Sequence, residues 1–500
     1  MERPKSIKRP AGKRVHFIGI GGIGMSALAR FYASEGYAVS GSDISDSDTL
    51  RELRKEHIKI TLGHNGRNVP DGALVIRTQA IPPENPEFAA AKQMGLKMLS
   101  YPEAVGTLTR RYKTVAISGS HGKSTTTALT ALALINAGFD PTVIIGTKLR
   151  EFGGKNFRKG RSEWLVLEAD EFGRAFRHYS PFAAIATNID REHLDVYKNL
   201  RGVQNSFLTF FSNIREGGYL IVNRNDKNTV ALEKEIYIIR DANLINVSWH
   251  SINPKLEALA LAGKLPGLPG QHNLTNASAA HTLGRALGIA ESAIFKTLAD
   301  FRGTWRRLEL RGQFRPPGLK FSAKGGSASG GNVSSLRYDI PVYDDYAHHP
   351  TEIRASLAAL KEKYPRGKII CVYEPHQQER LKKLFSGFRD AFTDADALIL
   401  FDIYRVVGRD KKSDRKYNSK NLALAIKKKY PRKEVIYLKN PAKLKKTILL
   451  VASGPLRPPR LGEADPSTSE ASYLLSPSLV MMGAGNIAEY TKELLAKTGK

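Results

Sequence analysis

Gly119-Ser120-His121-Gly122-Lys123-Ser124-Thr125 is a string that could hold a polyphosphate. Backbone N–H groups exposed in a glycine loop converge on phosphate oxygens, and a following helix N-terminus adds unpaired donors and a favourable dipole. Lys123 would offset charge on the β- and γ-phosphates, and Ser124 or Thr125 could offer a hydroxyl to Mg²⁺. The full Walker pattern asks for glycine at 117, where this chain has Ile117. The shorter string also occurs in plain surface turns. Its weight comes from its flanks: TVAISG reads as a strand, GSHGKSTTT as a loop and ALTALALINAG as a helix ending at Gly138.

Two acidic stretches follow further predicted strands. Glu168-Ala169-Asp170-Glu171 comes after WLVL, and Thr187-Asn188-Ile189-Asp190-Arg191-Glu192-His193-Leu194-Asp195 after AAIA. Carboxylates at strand C-termini face the crevice where ligands sit in open α/β sheets, and Mg²⁺ takes hard oxygen ligands. His193 is a candidate ligand for a second ion. The plain alternative is a set of solvated loop residues; ending strands of the same predicted sheet as the phosphate loop favours function.

Near the N-terminus, Gly19-Ile20-Gly21-Gly22-Ile23-Gly24 contains GxGxxG, with Asp43 about 20 residues on. The spacing is a dinucleotide-binding fingerprint. Its physical requirement is only a diphosphate at a helix N-terminus, so it does not choose between NAD and a UDP-sugar.

These strings need a framework of parallel strands. VHFIGI, the helical pattern MSALARFYASEG and YAVSGSD form a βαβ unit. Further strands are expected at GYLIVN, PVYDDYA, KIICVYE, ALILFDI and SLVMMGAG, with helices between them. The fold class is therefore α/β, in three domains: residues 1–110, Rossmann-like; 111–308, carrying the phosphate loop; and 309–500, again Rossmann-like. FSAKGGSASGGNVSS (321–335) is expected to form a flexible loop and SGPLRPPRLGEADPSTSEAS (453–472) a surface bulge.

No apolar run approaches the roughly 18–20 residues that cross a bilayer, and the glycine-broken segment after the basic N-terminus does not read as a signal peptide. One cysteine, Cys371, cannot form an intrachain disulfide and fits a reducing compartment. We expect a cytoplasmic protein. A net charge of +29 raises nucleic-acid binding. The basic residues are scattered, with local clusters at Lys411–Lys412 and Lys427–Lys429 and no aromatic RNA-binding signature, so a surface that attracts anionic nucleotides is the preferred reading. A dehydrogenase would use the first glycine loop but leaves GSHGKST and the acidic clusters without a purpose.

Taken together, GIGGIGMSALA, SGSD, GSHGKSTTT, EADEF, TNIDREHLD, GQHNLTNASAA, RRLELRG, DDYAHHPTE, PHQQER and GAGNI resemble the Mur ligase family, in family order, from about Val15 to Ala488. The resemblance implies a bacterial enzyme of peptidoglycan precursor synthesis with the family's three-domain architecture. It implies ATP and Mg²⁺ as cofactors, UDP-N-acetylmuramate and L-alanine as substrates, and a monomer or homodimer acting without nucleic acid or membrane insertion. Gly19, Gly21, Gly22 and Gly24 would hold the UDP-sugar diphosphate, with Asp43 and His64 near the nucleoside. Gly119, Ser120, His121, Gly122, Lys123, Ser124 and Thr125 would bind ATP phosphates, and Ser124, Glu168 and His193 the magnesium. His272, Asn273 and Asn276 would line the ATP side, and Arg307 and Asp345 would engage nucleotide from the C-terminal domain. His348, His376 and Arg380 would lie near the incoming substrate. Structural roles compete for several of these: Asn276 could cap a helix, Asp345 could be a strand-end carboxylate, and His348 and His349 could shape a helix start before Pro350.

The chemistry implied is phosphorylation of the lactyl carboxylate, then attack of the amine on the acyl phosphate, with Lys123 and Mg²⁺ offsetting the repulsion between two anions. His348 is a candidate to assist amine deprotonation. The chain departs from its relatives at Glu192, where Asp is usual, and at Gln377, where the alanine-adding branch often has Arg. RRLELRG and VYDDYAHHPTEI also resemble the recycling ligase that adds a preformed tripeptide. GIGGIGMS and PHQQER rank the alanine-adding reaction first. After Asp195, Lys198 and then Phe207, Leu208 and Phe210 give no expectation of a carbamylated lysine.

Overall fold

Short apolar runs such as TVAI and WLVL bury on both faces, which demands cover on both sides and favours parallel sheets. In the computed structural model, Val115 and Ile117 face one core while Ala116 faces another. Residues 12–315, 339–405, 414–453 and 477–496 are described. The basic start of the chain (1–11), the Gly/Ser-rich stretch at 321–335, the Lys411–Lys412 pair and residues 454–472 of the Pro-rich stretch lie outside them. The chain divides into two compact units, Met1–Leu268 with His272–Trp305, and Pro269–Gln271 with Arg306–Lys500.

The first unit holds two sheets. Strands β1 (Arg14–Ile18), β2 (Ala38–Asp43), β3 (Lys59–Leu62), β4 (Leu74–Arg77) and β5 (Met98–Ser100) form a parallel sheet in the order β3-β2-β1-β4-β5. The order reverses at β1, and the Gly19–Gly24 loop leaves its C-terminal end into helix α1 (Ile23–Ser34). Helices α2 (Asp48–Lys55), α3 (Pro86–Gln93) and α4 (Tyr101–Arg111) follow.

The second sheet contains β6 (Lys113–Ser118), β7 (Thr142–Leu149), β8 (Lys155–Arg158), β9 (Trp164–Glu168), β10 (Ala183–Ala186), β11 (Tyr219–Asn223) and β12 (Asn246–His250). Its order is β12-β11-β10-β6-β9-β7-β8, parallel except for the β7–β8 hairpin. Helix α5 (Lys123–Asn136) starts at Lys123, so KSTTT belongs to the helix rather than to the expected loop. Thr127 fits because its Oγ1 donates to Lys123 O at 2.8 Å, the back-bond that lets a threonine sit inside a helix.

The second unit has β13 (Glu309–Phe314), β14 (Ile340–Asp345), β15 (Ile369–Glu374), β16 (Ala397–Leu400), β17 (Glu434–Tyr437) and β18 (Ser478–Gly483), ordered β13-β14-β18-β15-β16-β17. Only the β13 edge pairs antiparallel. No described helix is long and apolar enough to cross a membrane.

Candidate active site

The strand order explains why distant strings converge. β10, β6 and β9 are parallel neighbours, so TNIDREH, GSHGKS and EADE leave the same sheet edge side by side. The loop between β6 and α5 is laced to the segment after β10. Ser120 N donates to Asn188 O (3.0 Å), His121 N to Asn188 Oδ1 (2.9 Å), and Thr187 Oγ1 to His121 O (2.6 Å). His121 Nε2 lies 3.0 Å from Asp190 Oδ2. Thr187 and Asn188 were legible only as part of a string; their work as a scaffold for the loop was not.

Two glycines are required here. Gly119 and Gly122 have φ of +136° and +81°, and a Cβ would overlap Thr187 Oγ1 at the first and Asn276 Oδ1 at the second. Asn276 therefore lies against the phosphate loop from inside the helix Gln271–Ala286 and does not cap it. Its Nδ2 donates to Asn273 Oδ1 at 3.3 Å, so the loop, Asn273 and Asn276 are one neighbourhood. His272 is half-buried in the first turn of the same helix.

Lys123 Nζ donates to Glu171 Oε2 (2.8 Å), Gly119 O (2.7 Å) and Ser120 O (3.4 Å). Burial alone would lower the ammonium pKa; the carboxylates of Glu171 and Asp170 outweigh it and hold Lys123 above its ordinary value, so it stays charged. Ser124 Oγ donates to Glu168 Oε1 at 3.1 Å, and Gly146 N donates to Glu168 Oε2 at 2.8 Å. Thr125 is buried in the first turn of α5.

Asp170, Glu171 and His193 bring ligand atoms that all lie within 4.8 Å of one another. Glu171 Oε1 is buried and accepts no hydrogen bond among the described residues; His193 Nε2 lies 3.7 Å from it. Two carboxylates, one with an orphaned oxygen, offer hard oxygen ligands to a divalent cation, and the imidazole adds a nitrogen donor beside them. Ser124 and Glu168 adjoin this group through Lys123 and α5. The sequence reading named Glu168 and His193 as ligands; Glu171 stood in the same string without being singled out, because only the folded chain shows which carboxylate meets the lysine.

At the other sheet of this unit, Gly19 takes φ +82°, and Gly19 N and Ile20 N both donate to Ser42 O (2.9 and 3.0 Å). Gly21 N donates to Asp43 Oδ2 at 2.8 Å, and Gly22 is the N-cap of α1. A Cβ on Gly24 would sit 2.7 Å from the Tyr101 hydroxyl. His64 lies beside Ser42, with Nδ1 2.9 Å from Ser42 Oγ. Behind them Glu87 is fully buried, accepting from Ser42 Oγ (2.5 Å), Asn68 Nδ2 (2.6 Å), Asn65 N (3.2 Å) and His16 Nε2 (3.3 Å). Burial would raise the Glu87 carboxyl, but hydrogen bonds from His16, Ser42 and Asn68 prevail and hold it down at about 2. Sequence reading missed Glu87, which stands in the unremarkable string PENPE.

The two sheets are tied together. Asn156 on β8 donates through Nδ2 to Ile23 O (2.7 Å) and Ser26 Oγ (3.0 Å) of α1, and its Oδ1 accepts from the buried Arg30. Lys148 and Lys155 of the same hairpin pair with Glu52 and Glu56. The β7–β8 hairpin thus fixes the glycine-loop helix to the sheet that bears Lys123.

In the second unit, β14, β18 and β15 are neighbours, which gathers DDYAHH, GAGN and EPHQQER. Asp345 Oδ2 accepts from Ser356 Oγ (2.8 Å) and Leu308 N (3.2 Å); burial pushes its carboxyl up to about 6. Arg307 Nη1 lies 3.6 Å from Glu352 Oε1, whereas it is Arg306 that pairs with Asp344 at 3.0 Å. His349, not His348, caps the helix Pro350–Lys363, in a capping box with Glu352. The His348 and His376 ring centroids are 5.9 Å apart, His376 stacks on Tyr404 at 5.5 Å, and Arg380 Nη1 is 3.5 Å from His376 Nδ1. The three residues expected near the incoming substrate therefore form one cluster.

Family models match the chain in three consecutive blocks: "Mur ligase family, catalytic domain" over residues 14–113, "Mur ligase middle domain" over 117–284 and "Mur ligase, glutamate ligase domain" over 333–455. The UDP-N-acetylmuramate–L-alanine ligase of Clostridium novyi is 37% identical over 415 residues, covering 80% of this chain and 84% of the relative. The crystal structure of the UDP-N-acetylmuramate-alanine ligase of Thermotoga maritima aligns with a TM-score of 0.70 at 26% identity, over 97% of this chain and 98% of that one. A murein peptide ligase of Psychrobacter arcticus aligns with a TM-score of 0.62 at 20% identity, over 97% and 98% of the two chains, a likeness of fold.

Proposed function

The chain belongs to the Mur ligase family and has its three-domain α/β architecture, and on that premise we propose that it joins L-alanine to the lactyl carboxylate of UDP-N-acetylmuramate, converting ATP to ADP and phosphate. Residues 1–110 hold the UDP-sugar, 111–308 ATP, and 309–500 the amino acid. The observation that carries the reaction class is the half-buried, charged Lys123 at the head of α5, set among Glu171, Asp170 and His193. The choice of alanine rests on the 37% identity to the Clostridium novyi ligase.

ATP phosphates take Lys123 and the backbone N–H groups at the start of α5, residues 122–125, with Asn273 and Asn276 packed behind the loop. Asp170, Glu171 and His193, with Ser124 and Glu168 beside them, would hold Mg²⁺, which supplies charge neutralisation for the phosphates. The lactyl carboxylate oxygen bonds to the γ-phosphorus as the bond to the ADP oxygen breaks. Lys123 stabilises the charge that spreads over the transferring group. The alanine amine then bonds to the acyl carbon, and phosphate leaves. His348 would take the amine proton, and His376 and Arg380, which cluster with it, would orient the amino acid. The protein works in the cytoplasm on soluble nucleotides, in peptidoglycan synthesis, as a monomer or homodimer without nucleic acid.

Phosphate release from ATP and Mg²⁺ with UDP-N-acetylmuramate, across a panel of amino acids and peptides, tests this. Turnover with L-alanine supports the proposal. Turnover only with a preformed murein tripeptide would replace it with the recycling reaction.

A further inference from the structure

Ser42 connects two parts of the N-terminal sheet. Its carbonyl accepts from Gly19 and Ile20, which shapes the glycine loop, and its hydroxyl bridges Glu87 and His64. Proton accounting along this bridge leaves one solution. Glu87 is a buried carboxylate and only accepts. The Ser42 hydroxyl has a single proton, and Glu87 Oε2 at 2.5 Å takes it. The Ser42 oxygen can then only accept from His64 Nδ1, 2.9 Å away, so Nδ1 carries hydrogen. In a neutral imidazole Nε2 is then a bare lone pair, and it meets no hydrogen-bond partner among the described residues. Glu87 also fixes the loop that carries His64, through Asn65 N and Asn68 Nδ2. Its remaining contact, His16, is held from the far side by Ser40 Oγ at 2.9 Å.

We propose that Ser42 and Glu87 are positioning residues that lock His64 as its Nδ1–H tautomer, so that His64 Nε2 accepts a hydrogen bond from an N–H or O–H donor of the bound nucleoside. This rests on the reading of residues 1–110 as the UDP-sugar site. The donors a uridine nucleotide offers are the imide N–H of the base and the ribose hydroxyls. A base with a lone pair in place of the imide N–H would face His64 Nε2 lone pair to lone pair, so the relay would contribute to nucleotide choice.

Histidine-labelled full-length protein tests the relay by two-bond ¹H–¹⁵N correlation, with His64→Gln identifying the signal. The wild type should show the Nδ1–H tautomer, Ser42→Ala should lose the preference, and Ser42→Thr, which keeps a hydroxyl, should restore it. An Nε2–H tautomer in the wild type overturns the inference. Calorimetry with a UDP-sugar, its N3-methyluracil analogue and its 2′- and 3′-deoxyribose analogues identifies the donor. One analogue should bind the wild type roughly ten-fold more weakly than the parent, and His64→Ala should bind the two alike. Equal binding of all analogues by the wild type overturns the acceptor role. Failure of the wild type to bind any UDP-sugar overturns the functional reading instead, while the tautomer still judges the relay.

Discussion

Lys123 Nζ lies 2.8 Å from Glu171 Oε2, and the carbonyls of Gly119 and Ser120 accept its other protons. The loop thus holds a charged, oriented ammonium at the head of α5, and under the proposed function the phosphates of ATP would meet a cation already in place. Lys123→Ala should lower ADP release by on the order of 10³-fold. Circular dichroism on the same sample would show whether the fold is kept.

Gly122 adopts φ +81° with no room for a Cβ beside Asn276. Gly122→Ala combines left-handed strain of roughly 1–2 kcal/mol with displacement of Asn276. The expected result is ATP affinity at least about ten-fold weaker by calorimetry, with UDP-sugar affinity retained, since the glycine loop at 19–24 belongs to the other sheet of the unit.

Asn156 is buried, and it serves Ile23 O, Ser26 Oγ and the buried guanidinium of Arg30 at once. Removing its amide leaves one guanidinium nitrogen, Arg30 Nη1, and the Ile23 carbonyl without this partner, while Arg30 keeps its ion pairs with Glu52 and Glu56. Asn156→Ala should destabilise the protein by about 2 kcal/mol in urea unfolding. In a double-mutant cycle, Asn156→Ala should cost less in an Arg30→Met background, because the N–H that lost its partner is then gone.

Two buried carboxylates give opposite pH dependences. Glu374 is pushed up to about 7, first by burial, against the N–H groups of Ile487 and Asn486. Its folded pKa exceeds the unfolded one, so its contribution is fullest below pH about 4.5 and is lost as pH rises through about 7. Glu87, held at about 2, contributes above pH about 4.5 and loses its share as pH falls towards 2. Denaturant titrations should show Glu374→Gln removing a loss on the order of 3 kcal/mol between pH 4.5 and 7.

What could be read without the fold were the strand-end strings. A buried strand is a short apolar run, and the polar residues that follow it leave the same sheet edge, so GSHGKS, EADE and TNIDREH announced themselves. Pairings across long stretches of chain could not be read. Asn156 meets Ile23 and Ser26, and Glu87 meets Ser42 and His16, through separations that no local pattern encodes. The same holds for Glu171, one carboxylate among neighbours until Lys123 selects it. The helix start at Lys123 is masked by the run of threonines, whose weak helix preference is overridden when α5 packs on the sheet, with the Thr127 hydroxyl satisfied by Lys123 O.

The central claim is that a terminal phosphate of ATP is transferred to the carboxylate of the UDP-sugar before the amine attacks. UDP-N-acetylmuramate labelled with ¹⁸O in the lactyl carboxylate, turned over with ATP, Mg²⁺ and L-alanine, reports this directly. One ¹⁸O should appear in the released phosphate for each amide formed from fully labelled carboxylate. Amide formation with unlabelled phosphate would contradict the account.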